Sequence, residues 1–302
     1  MGIQLTADGA IRFPALKLGI DHLISGFEIF GVTVSLSGIL MGLALFLGLL
    51  IAEGLAKKTE QDTERYLDLA VQVVIGGVLG ARITYVVMHW GYYKEQPAEI
   101  FALSQDGMSF LGALTAGLLI SYVYCRKKKI SWLKTCDTAL LGTVVGQIIG
   151  KVGDFFGRTN LGNYSNGKFA MQVAVEDVDM STMMLARGNS EMIIGNFIQV
   201  HPVFLYEMIG LVLLYAILAM IYKNQKMSGI VLSVYLVGYG GMLFWTEYLR
   251  LNSVRIIGNA LSMEHLMAIS TTLFGVFVFF DCIKRQQIEL KKLPKYFFDS
   301  KE

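Results

Sequence analysis

The chain of 302 residues has few charged side chains and few cysteines. Asp, Glu, Lys and Arg make up 17% of it and hydrophobic residues 54%, whereas soluble domains carry about 25% charged residues. This composition argues against a soluble domain and indicates an integral membrane protein. Cys125, Cys136 and Cys282 are expected at cytoplasmic helix ends, where thiols stay reduced, so no disulfide framework is predicted.

Several sequence motifs are also absent. The chain has no HExxH, no GxSxG and no Walker lysine loop, and its four histidines are scattered at positions 22, 89, 201 and 265. We therefore expect neither a metal site nor a cofactor. The formal net charge of +2 gives no indication of a nucleic-acid partner. The first 31 residues lack the ordered basic head, apolar core and cleavage site of a removable signal peptide, so the first apolar segment is expected to insert itself.

Long apolar runs dominate the sequence instead. A helix needs about 20 residues to cross the hydrocarbon layer. Seven segments reach or approach this length: 32–52, 68–88, 108–125, 135–150, 199–222, 229–249 and 263–283. Backbone polar groups in lipid must bond within their own segment, so continuous spans of this kind are expected to be helices. The sequence predicts an all-α integral membrane protein, with residues 1–302 forming a single membrane domain of seven transmembrane helices.

The distribution of basic residues predicts the orientation of these spans. Lys and Arg follow the first, third, fifth and seventh spans, as at 126–129 and 284–295, which is typical of cytoplasmic connections. Acidic or mixed segments follow the second and fourth spans. We expect the N-terminus outside, the C-terminus in the cytoplasm, and a basic cytoplasmic tail at 284–302 that contacts anionic lipid.

The longest connection, residues 151–198, falls on the predicted outer side. A connection of about 48 residues in a compact domain is usually functional or disordered, and its aliphatic residues argue against disorder. We expect a small folded extracytoplasmic head between helices 4 and 5, with short strands near residues 169–175. Residues 20–30, which mix Phe and Ile with acidic residues, are expected to lie at the membrane interface.

Ionisable residues inside or beside the spans are costly in lipid and mark candidate functional positions. Arg82 lies in the second span with Tyr85 three residues later, on the same helix face. Its partner is either a carboxylate, for which Asp137 of the fourth span is a candidate, or a lipid phosphate. Gly107 and Gly112 open the third span, where small residues allow either close helix packing or close approach of a ligand.

The stretch IIGKVGDFFGRTNLGNYS, residues 148–165, joins the fourth span to the head. A helix break near Gly153 is expected to bring Lys151, Asp154 and Arg158 to the outer edge of the hydrocarbon. Such a Gly-rich cationic turn can hold a phosphate. The alternative is that these side chains simply reach towards the interface.

The fifth and sixth spans carry further polar residues at their predicted outer ends. His201, Tyr206 and Glu207 lie at the start of the fifth span, and Glu207 is the hardest of them to explain by an aromatic belt. Glu247 and Arg250 close the sixth span at a spacing that allows either a structural ion pair or a site. Together these residues favour an anionic lipid as ligand over an ion pore.

The order of these motifs resembles the bacterial prolipoprotein diacylglyceryl transferases over roughly residues 30–281. The resemblance rests on FGVTVSLSGILMGL, GARITYVVMHWGYY, GMSFLGAL, HPVFLYE, EYLR and LSMEHL, with residues 148–165 on the family signature. It implies a multi-pass enzyme of the bacterial plasma membrane. The implied reaction moves diacylglycerol from phosphatidylglycerol to the lipobox cysteine thiol of a prolipoprotein signal peptide and releases glycerol phosphate.

The resemblance also implies roles for individual residues. The catalytic candidates are Lys151, Asp137, Glu247 and Asp154. The candidates for binding phosphatidylglycerol or other membrane lipid and the prolipoprotein are Arg82, Tyr85, Gly107, Gly112, Gly153, Arg158, Gly162, His201, Tyr206, Glu207 and Arg250.

The chain departs from the family pattern at several positions of this site. Lys151 replaces the signature arginine, and the substituted positions elsewhere include Ser37, Asp106, Leu111, Asp154, Gly157, Thr159 and Leu243. Lysine keeps the charge of arginine but lacks its bidentate fork. Two hypotheses follow: an active diacylglyceryl transferase, or a non-catalytic or altered-substrate paralogue that binds phospholipid or lipoprotein in the same cavity.

Overall fold

The structure is a computed structural model that describes residues 4–29, 32–101, 109–178, 180–224, 227–251, 255–257 and 261–292. The chain divides into two compact units, one of residues 49–139 and one of residues 1–48 together with 140–302. The first unit is called the 49–139 unit below.

The fold is mostly helical. The α-helices are Leu36–Lys58 (α1), Glu64–Met88 (α2), Trp90–Tyr93 (α3), Phe110–Lys127 (α4), Trp132–Gly157 (α5), Met180–Arg187 (α6), Val203–Asn224 (α7), Ile230–Glu247 (α8) and Met263–Lys292 (α9). Short 3-10 turns lie at Pro14–Leu16, Pro97–Phe101, Val175–Asp177 and Ser190–Met192.

Six of these helices are long and apolar enough to cross a membrane. They are α1, α2, α5, α7, α8 and α9, and each overlaps one of the spans expected from the sequence. The remaining expected span, 108–125, overlaps α4, which has 18 residues. A membrane protein with several helical spans is thus confirmed, whereas the seventh span stays a prediction.

Several helix ends differ from the sequence prediction. The expected break near Gly153 is wrong, because α5 continues through Gly150 and Gly153 to Gly157. A Cβ at Gly153 would lie 3.5 Å from the carbonyl oxygen of Ser37, so this glycine faces α1. Helix α9 extends to Lys292 and thereby includes the first nine residues of the expected tail 284–302. The rest of that tail lies outside the described residues.

Strands add to the helices and correct the all-α expectation. They are Gln4–Asp8 (β1), Ile11–Phe13 (β2), Leu18–Ile20 (β3), Leu23–Ile29 (β4), Val32–Ser35 (β5), Met171–Ala174 (β6), Ile193–Ile194 (β7), Phe197–Val200 (β8), Arg255–Ile257 (β9) and Leu261–Ser262 (β10). The strands form three sheets with the orders β1-β4-β5, β10-β9 and β3-β2-β6-β8-β7. We call the five-stranded sheet the head sheet.

The head sheet joins segments that are far apart in sequence. Ile11 pairs with Val173, and Val173 pairs with Ile198, both in antiparallel register. The side chains of Ile11, Val173 and Ile198 are almost fully buried, and with Met171 and Val200 they form a hydrophobic core. Each buried aliphatic side chain of this size stabilises a fold by about 1.5–3 kcal/mol. Strand β8 ends one residue before His201, so this core fixes the start of α7.

The 49–139 unit is held by close helix packing. A Cβ at Gly112 of α4 would collide with the carbonyl oxygen of Gly80 and with Thr84 of α2. Gly112 therefore serves the helix packing that the sequence left open as one alternative. Gly107 lies outside the described residues.

Candidate active site around Glu207

A buried carboxylate forms the centre of the candidate site. Glu207 lies in the second turn of α7, which begins directly after Pro202, a residue suited to helix starts because its φ is already helical. The residue is 1% exposed. A carboxylate in that position must be compensated by several donors.

Four side chains donate to this carboxylate. Oε2 accepts from Lys151 Nζ at 2.7 Å and from Asn160 Nδ2 at 2.9 Å. Oε1 accepts from Arg250 Nη2 and from Thr246 Oγ1, both at 3.0 Å. These donors come from α5, the connection after it, the residues after α8 and α8 itself, so Glu207 ties four segments together. We call Lys151, Asp154, Glu207, Glu247 and Arg250 the Glu207 cluster.

Two further carboxylates of the cluster, Asp154 and Glu247, pair with its cations. Lys151 Nζ lies 2.9 Å from Asp154 Oδ2, and Arg250 Nη1 lies 3.6 Å from Glu247 Oε2. Thr159 Oγ1 donates to Asp154 Oδ1 at 3.0 Å. Burial by itself lowers the pKa of Arg250, but the charges of Glu207 and Glu247 and the hydrogen bond to Glu207 act together to raise the pKa above its usual range. Arg250 is therefore a permanent cation.

Exposure separates the cations from the buried carboxylates. The side chains of Glu207 and Glu247 are 1% and 3% exposed, whereas those of Lys151 and Arg250 are 21% and 30% exposed. Glu207 and Glu247 hold the cations from behind, and the cations reach the surface of the cluster. Arg250 Nε is buried and has no hydrogen-bond partner among the described residues.

A backbone junction places Arg250 beside Glu207. The backbone amide of Gly162 donates to the carbonyl of His201 at 2.9 Å, and the backbone amide of Asn163 donates to the carbonyl of Leu249 at 2.7 Å. A Cβ at Gly162 would lie 2.6 Å from His201 Cβ and 2.8 Å from the Leu249 carbonyl oxygen. Gly162 is thus required by this close approach of three segments, and it acts through the backbone.

The connection after α5 needs residues in the left-handed region. Asn160 has φ +58° and Arg158 has φ +52°, and Asn adopts this conformation more easily than most side chains do. This turn brings the Asn160 amide to Glu207. Arg158, in contrast, lies 3.9 Å from Asp177, so its guanidinium is held beside the head sheet.

Aromatic side chains border the cluster at the start of α7. His201 Nδ1 lies 3.2 Å from Tyr206 Oη, and the Tyr206 ring lies 6.2 Å from that of Trp245. Burial lowers the pKa of His201, so the imidazole is neutral at pH 7.

The remaining predicted residues belong to the 49–139 unit. Arg82 is 5% exposed and donates to the carbonyls of Glu99 and Ile100 at 2.6 and 3.0 Å. Its guanidinium lies 5.4 Å from the ring centroid of Tyr93. Tyr85 stacks on His89 at 4.1 Å. Arg82 therefore fixes the turn at Pro97–Phe101, and the fully buried Asp137 lies in the first turns of α5.

Three polar residues that contact the cluster were not predicted. Asn160 and Thr246 donate to Glu207, and Ser262 donates to Glu247. Asn160 and Thr246 occur within stretches already marked by charged neighbours, which is the one sequence signal that could have identified them. Among the described residues no group of three or more His, Cys, Asp or Glu could hold a metal ion.

A family model described as "Prolipoprotein diacylglyceryl transferase" matches residues 25–280. A phosphatidylglycerol--prolipoprotein diacylglyceryl transferase of Finegoldia magna is 31% identical over 83% of this chain and 92% of its own length. Proteins of the same name from Clostridioides difficile and Lysinibacillus sphaericus are 30% and 27% identical, over 83% and 89% of this chain and 91% and 94% of their own lengths.

Proposed function

We infer that this chain, which belongs to the prolipoprotein diacylglyceryl transferase family, transfers the diacylglyceryl group of phosphatidylglycerol to a prolipoprotein. The acceptor is the thiol of the lipobox cysteine. The thiol loses its proton, and its sulfur forms a C–S bond to the glyceryl carbon that carries the phosphate. The C–O bond to that phosphate breaks, and its electron pair leaves with glycerol phosphate. The proton released by the thiol balances the charge of the departing phosphate.

The exposed cations of the Glu207 cluster carry this proposal. A leaving phosphate ester gains negative charge as its C–O bond breaks, and positioned cations stabilise that charge. Lys151 and Arg250 are held by buried carboxylates and still reach the surface of the cluster. Lys151 Nζ has three N–H donors, and its bonds to Glu207 and Asp154 use two of them. The third N–H of Lys151 is available to a phosphate oxygen.

One observation favours the alternative of a non-catalytic or altered-substrate lipid-binding paralogue. Among the described residues of the cluster, three carboxylates face two cations. These ion pairs are complete without a phosphate, and a further anion is less favourable there than at a cationic site. A phosphate that binds there adds negative charge beside Asp154 and Glu247.

An assay with purified protein distinguishes the two functions. The protein is mixed with phosphatidylglycerol and a lipobox peptide, and thioether product and glycerol phosphate are both measured. The matched control peptide carries serine in place of the lipobox cysteine, and the matched control protein carries Lys151→Ala together with Arg250→Ala. The transferase function is supported if both products form with the cysteine peptide and neither forms with the serine peptide. Folded protein that retains phosphatidylglycerol but yields neither product supports the paralogue.

We propose that the chain crosses the bacterial inner membrane seven times, and the head sheet supports the number of crossings that precede it. Strand β2 precedes α1, whereas β6 and β8 follow α5, yet all three belong to one sheet. Strands of one sheet lie on one side of the membrane, so the chain crosses it an even number of times between them. Helices α1, α2 and α5 account for three crossings, and α4 supplies the fourth. With the basic segment 126–129 in the cytoplasm, the N-terminus and the head sheet lie outside.

Cysteine labelling tests this topology. The side chain of Phe169 is 54% exposed. In a chain whose native cysteines are replaced, the cysteine introduced by Phe169→Cys is expected to react with a membrane-impermeant maleimide in intact cells. Lys128→Cys is its control and is expected to react after permeabilisation alone. The reverse pattern, or labelling of both sites in intact cells, contradicts the proposed orientation.

A further inference from the structure

Two polar residues at the start of α9 are buried beside the Glu207 cluster and have no role in the reaction described above. Ser262 is 0% exposed and His265 is 1% exposed. Ser262 Oγ lies 2.8 Å from Glu247 Oε1 and 2.9 Å from His265 Nδ1. Polar groups buried to this degree are costly unless their hydrogen bonds are satisfied. The hydrogen-bond partners of Ser262 and His265 therefore indicate which groups these two residues position.

The backbone bonds assign the protons of this group. The amide of His265 donates to Ser262 Oγ, and the amide of Ser262 donates to His265 Nδ1, both at 3.2 Å. This reciprocal pair is a capping box in which a histidine takes the position usually filled by Glu or Gln. Because Nδ1 accepts a hydrogen bond, the neutral imidazole carries its proton on Nε2. The Ser262 hydroxyl accepts from the His265 amide and keeps its own proton for Glu247.

The chain of polar contacts continues from Glu247 through Arg250 to Glu207. Glu247 Oε2 faces Arg250 Nη1 at 3.6 Å, and Arg250 Nη2 donates to Glu207 at 3.0 Å. The rings of Phe244 and Tyr248 lie 5.1 and 4.3 Å from the His265 ring and restrict its orientation. A helix cap alone needs the serine oxygen as an acceptor, whereas here the hydroxyl proton is also directed at a buried carboxylate that faces Arg250.

We propose that Ser262 and His265 are positioning residues for Arg250. The capping box orients the Ser262 hydroxyl, the hydroxyl fixes one oxygen of Glu247, and the other oxygen of Glu247 holds Arg250 where it meets the phosphate ester. This inference rests on the proposed function, because it assigns Arg250 to the substrate phosphate. His265 Nε2 is buried without a hydrogen-bond partner among the described residues, so the ring is held through Nδ1 and its aromatic neighbours.

The test compares variants that keep or lose this chain of bonds. Ser262→Ala and His265→Ala remove it, whereas Ser262→Thr keeps the hydroxyl and His265→Gln keeps an acceptor for the Ser262 amide. Ser131→Ala is the matched control, since Ser131 Oγ accepts from the Lys134 amide at the start of α5 and its loss removes a helix cap elsewhere. For each protein, kcat and KM for phosphatidylglycerol, lipid retention by native mass spectrometry, and Tm are measured.

We expect kcat to fall about tenfold in Ser262→Ala and His265→Ala, as for loss of one hydrogen bond to a charged group. Ser262→Thr and His265→Gln stay within about twofold of the wild type, and Ser131→Ala lowers Tm without lowering kcat. In an Arg250→Lys background, Ser262→Ala adds little further loss, because coupled residues are non-additive.

Three results separate failure of this inference from failure of the proposed function. Unchanged kcat in Ser262→Ala, with an active wild type, overturns the inference alone. Independent, multiplying losses from Ser262→Ala and Arg250→Lys also overturn it. If the wild type shows no transfer, the proposed function fails. The positioning role of Ser262 is then tested by lipid retention. It requires that Ser262→Ala retain less phosphatidylglycerol than Ser131→Ala does.

Discussion

The head sheet and the Glu207 cluster lie in the same compact unit and are both buried, but they are stabilised in opposite ways. The sheet buries Ile11, Val173 and Ile198 against one another, and such a core depends mainly on total apolar volume. The cluster buries Glu207 among four donors, and all four share that one carboxylate. The first region should tolerate changes of similar size, whereas the second should fail when a single partner is lost.

The largest expected effect is at the centre of the cluster. Glu207→Gln keeps the shape of the side chain but leaves Lys151 and Arg250 without their shared carboxylate. Breaking a buried ion pair costs about 3–5 kcal/mol, and we expect transfer to fall at least about a hundredfold. The peptide transfer assay measures this loss. Glu191→Gln, at an exposed carboxylate of the connection before α7, is the control and should keep wild-type activity.

A second prediction sharpens the comparison at Lys151. Lys151→Met removes the charge at similar length and should reduce transfer about tenfold to a hundredfold. Lys151→Arg restores the arginine of the family signature and its bidentate fork, so it should keep activity within about threefold of the wild type. Lys223→Met, at an exposed residue in the last turn of α7, is the charge-matched control. Equal activity of Lys151→Met and the wild type would contradict a role for Lys151 at the phosphate.

A third prediction concerns the sheet alone. Ile198 is fully buried, and Ile198→Ala should destabilise the protein by about 2–5 kcal/mol, compared with about 0.5–1.5 kcal/mol for Ile198→Val. The free energy of unfolding and the Tm measure the change. The transfer rate per folded molecule should stay unchanged in both variants. A fall in that rate at full folding would show that the core and the cluster are coupled.

The smallest expected effect is the pH response of His201, at the border of the two regions. Burial lowers the pKa of His201 in the folded protein, whereas the unfolded chain binds a proton near pH 6.5. Stability is therefore fully present above about pH 6.5 and declines as the pH falls towards the folded pKa. The Tm measured from pH 7.5 to pH 5 should fall less in His201→Gln than in the wild type. An identical decline in both proteins would contradict this assignment.

The sequence predicted the helices better than the strands, and the reason is the range of the signal. The run 203–222 is apolar apart from Glu207 and its tyrosines, so α7 follows from composition and from Pro202 alone. Strand β6 lies where short strands were expected, near residues 169–175. Strand β2, in contrast, is three residues long and gains its stability from a partner far away in sequence. The apolar residues 20–30, expected at the membrane interface, contain β4, whose pairing with β1 and β5 no local pattern reveals.

The candidate site was predictable where it carries charge. Lys151, Asp154, Glu207, Glu247 and Arg250 stand out because ionisable residues are rare beside membrane spans, and the structure joins these five in one network. Their catalytic roles, and any role of Arg82 or Asp137 in the same reaction, stay predictions. Asn160, Thr246, Ser262 and His265 could not be identified in the same way, since a neutral donor becomes significant only when its acceptor lies opposite.

The order of strands in the head sheet also constrains how the protein is made. Strand β2 leaves the ribosome about 160 residues before β6, and at 5–20 residues per second this interval lasts roughly 8–30 s. During that time α1, α2, α4 and α5 are synthesised while β2 lacks β6, its partner on one side. One edge of β2 therefore stays unpaired, and open to chaperones and proteases, until the second half of the sheet is made.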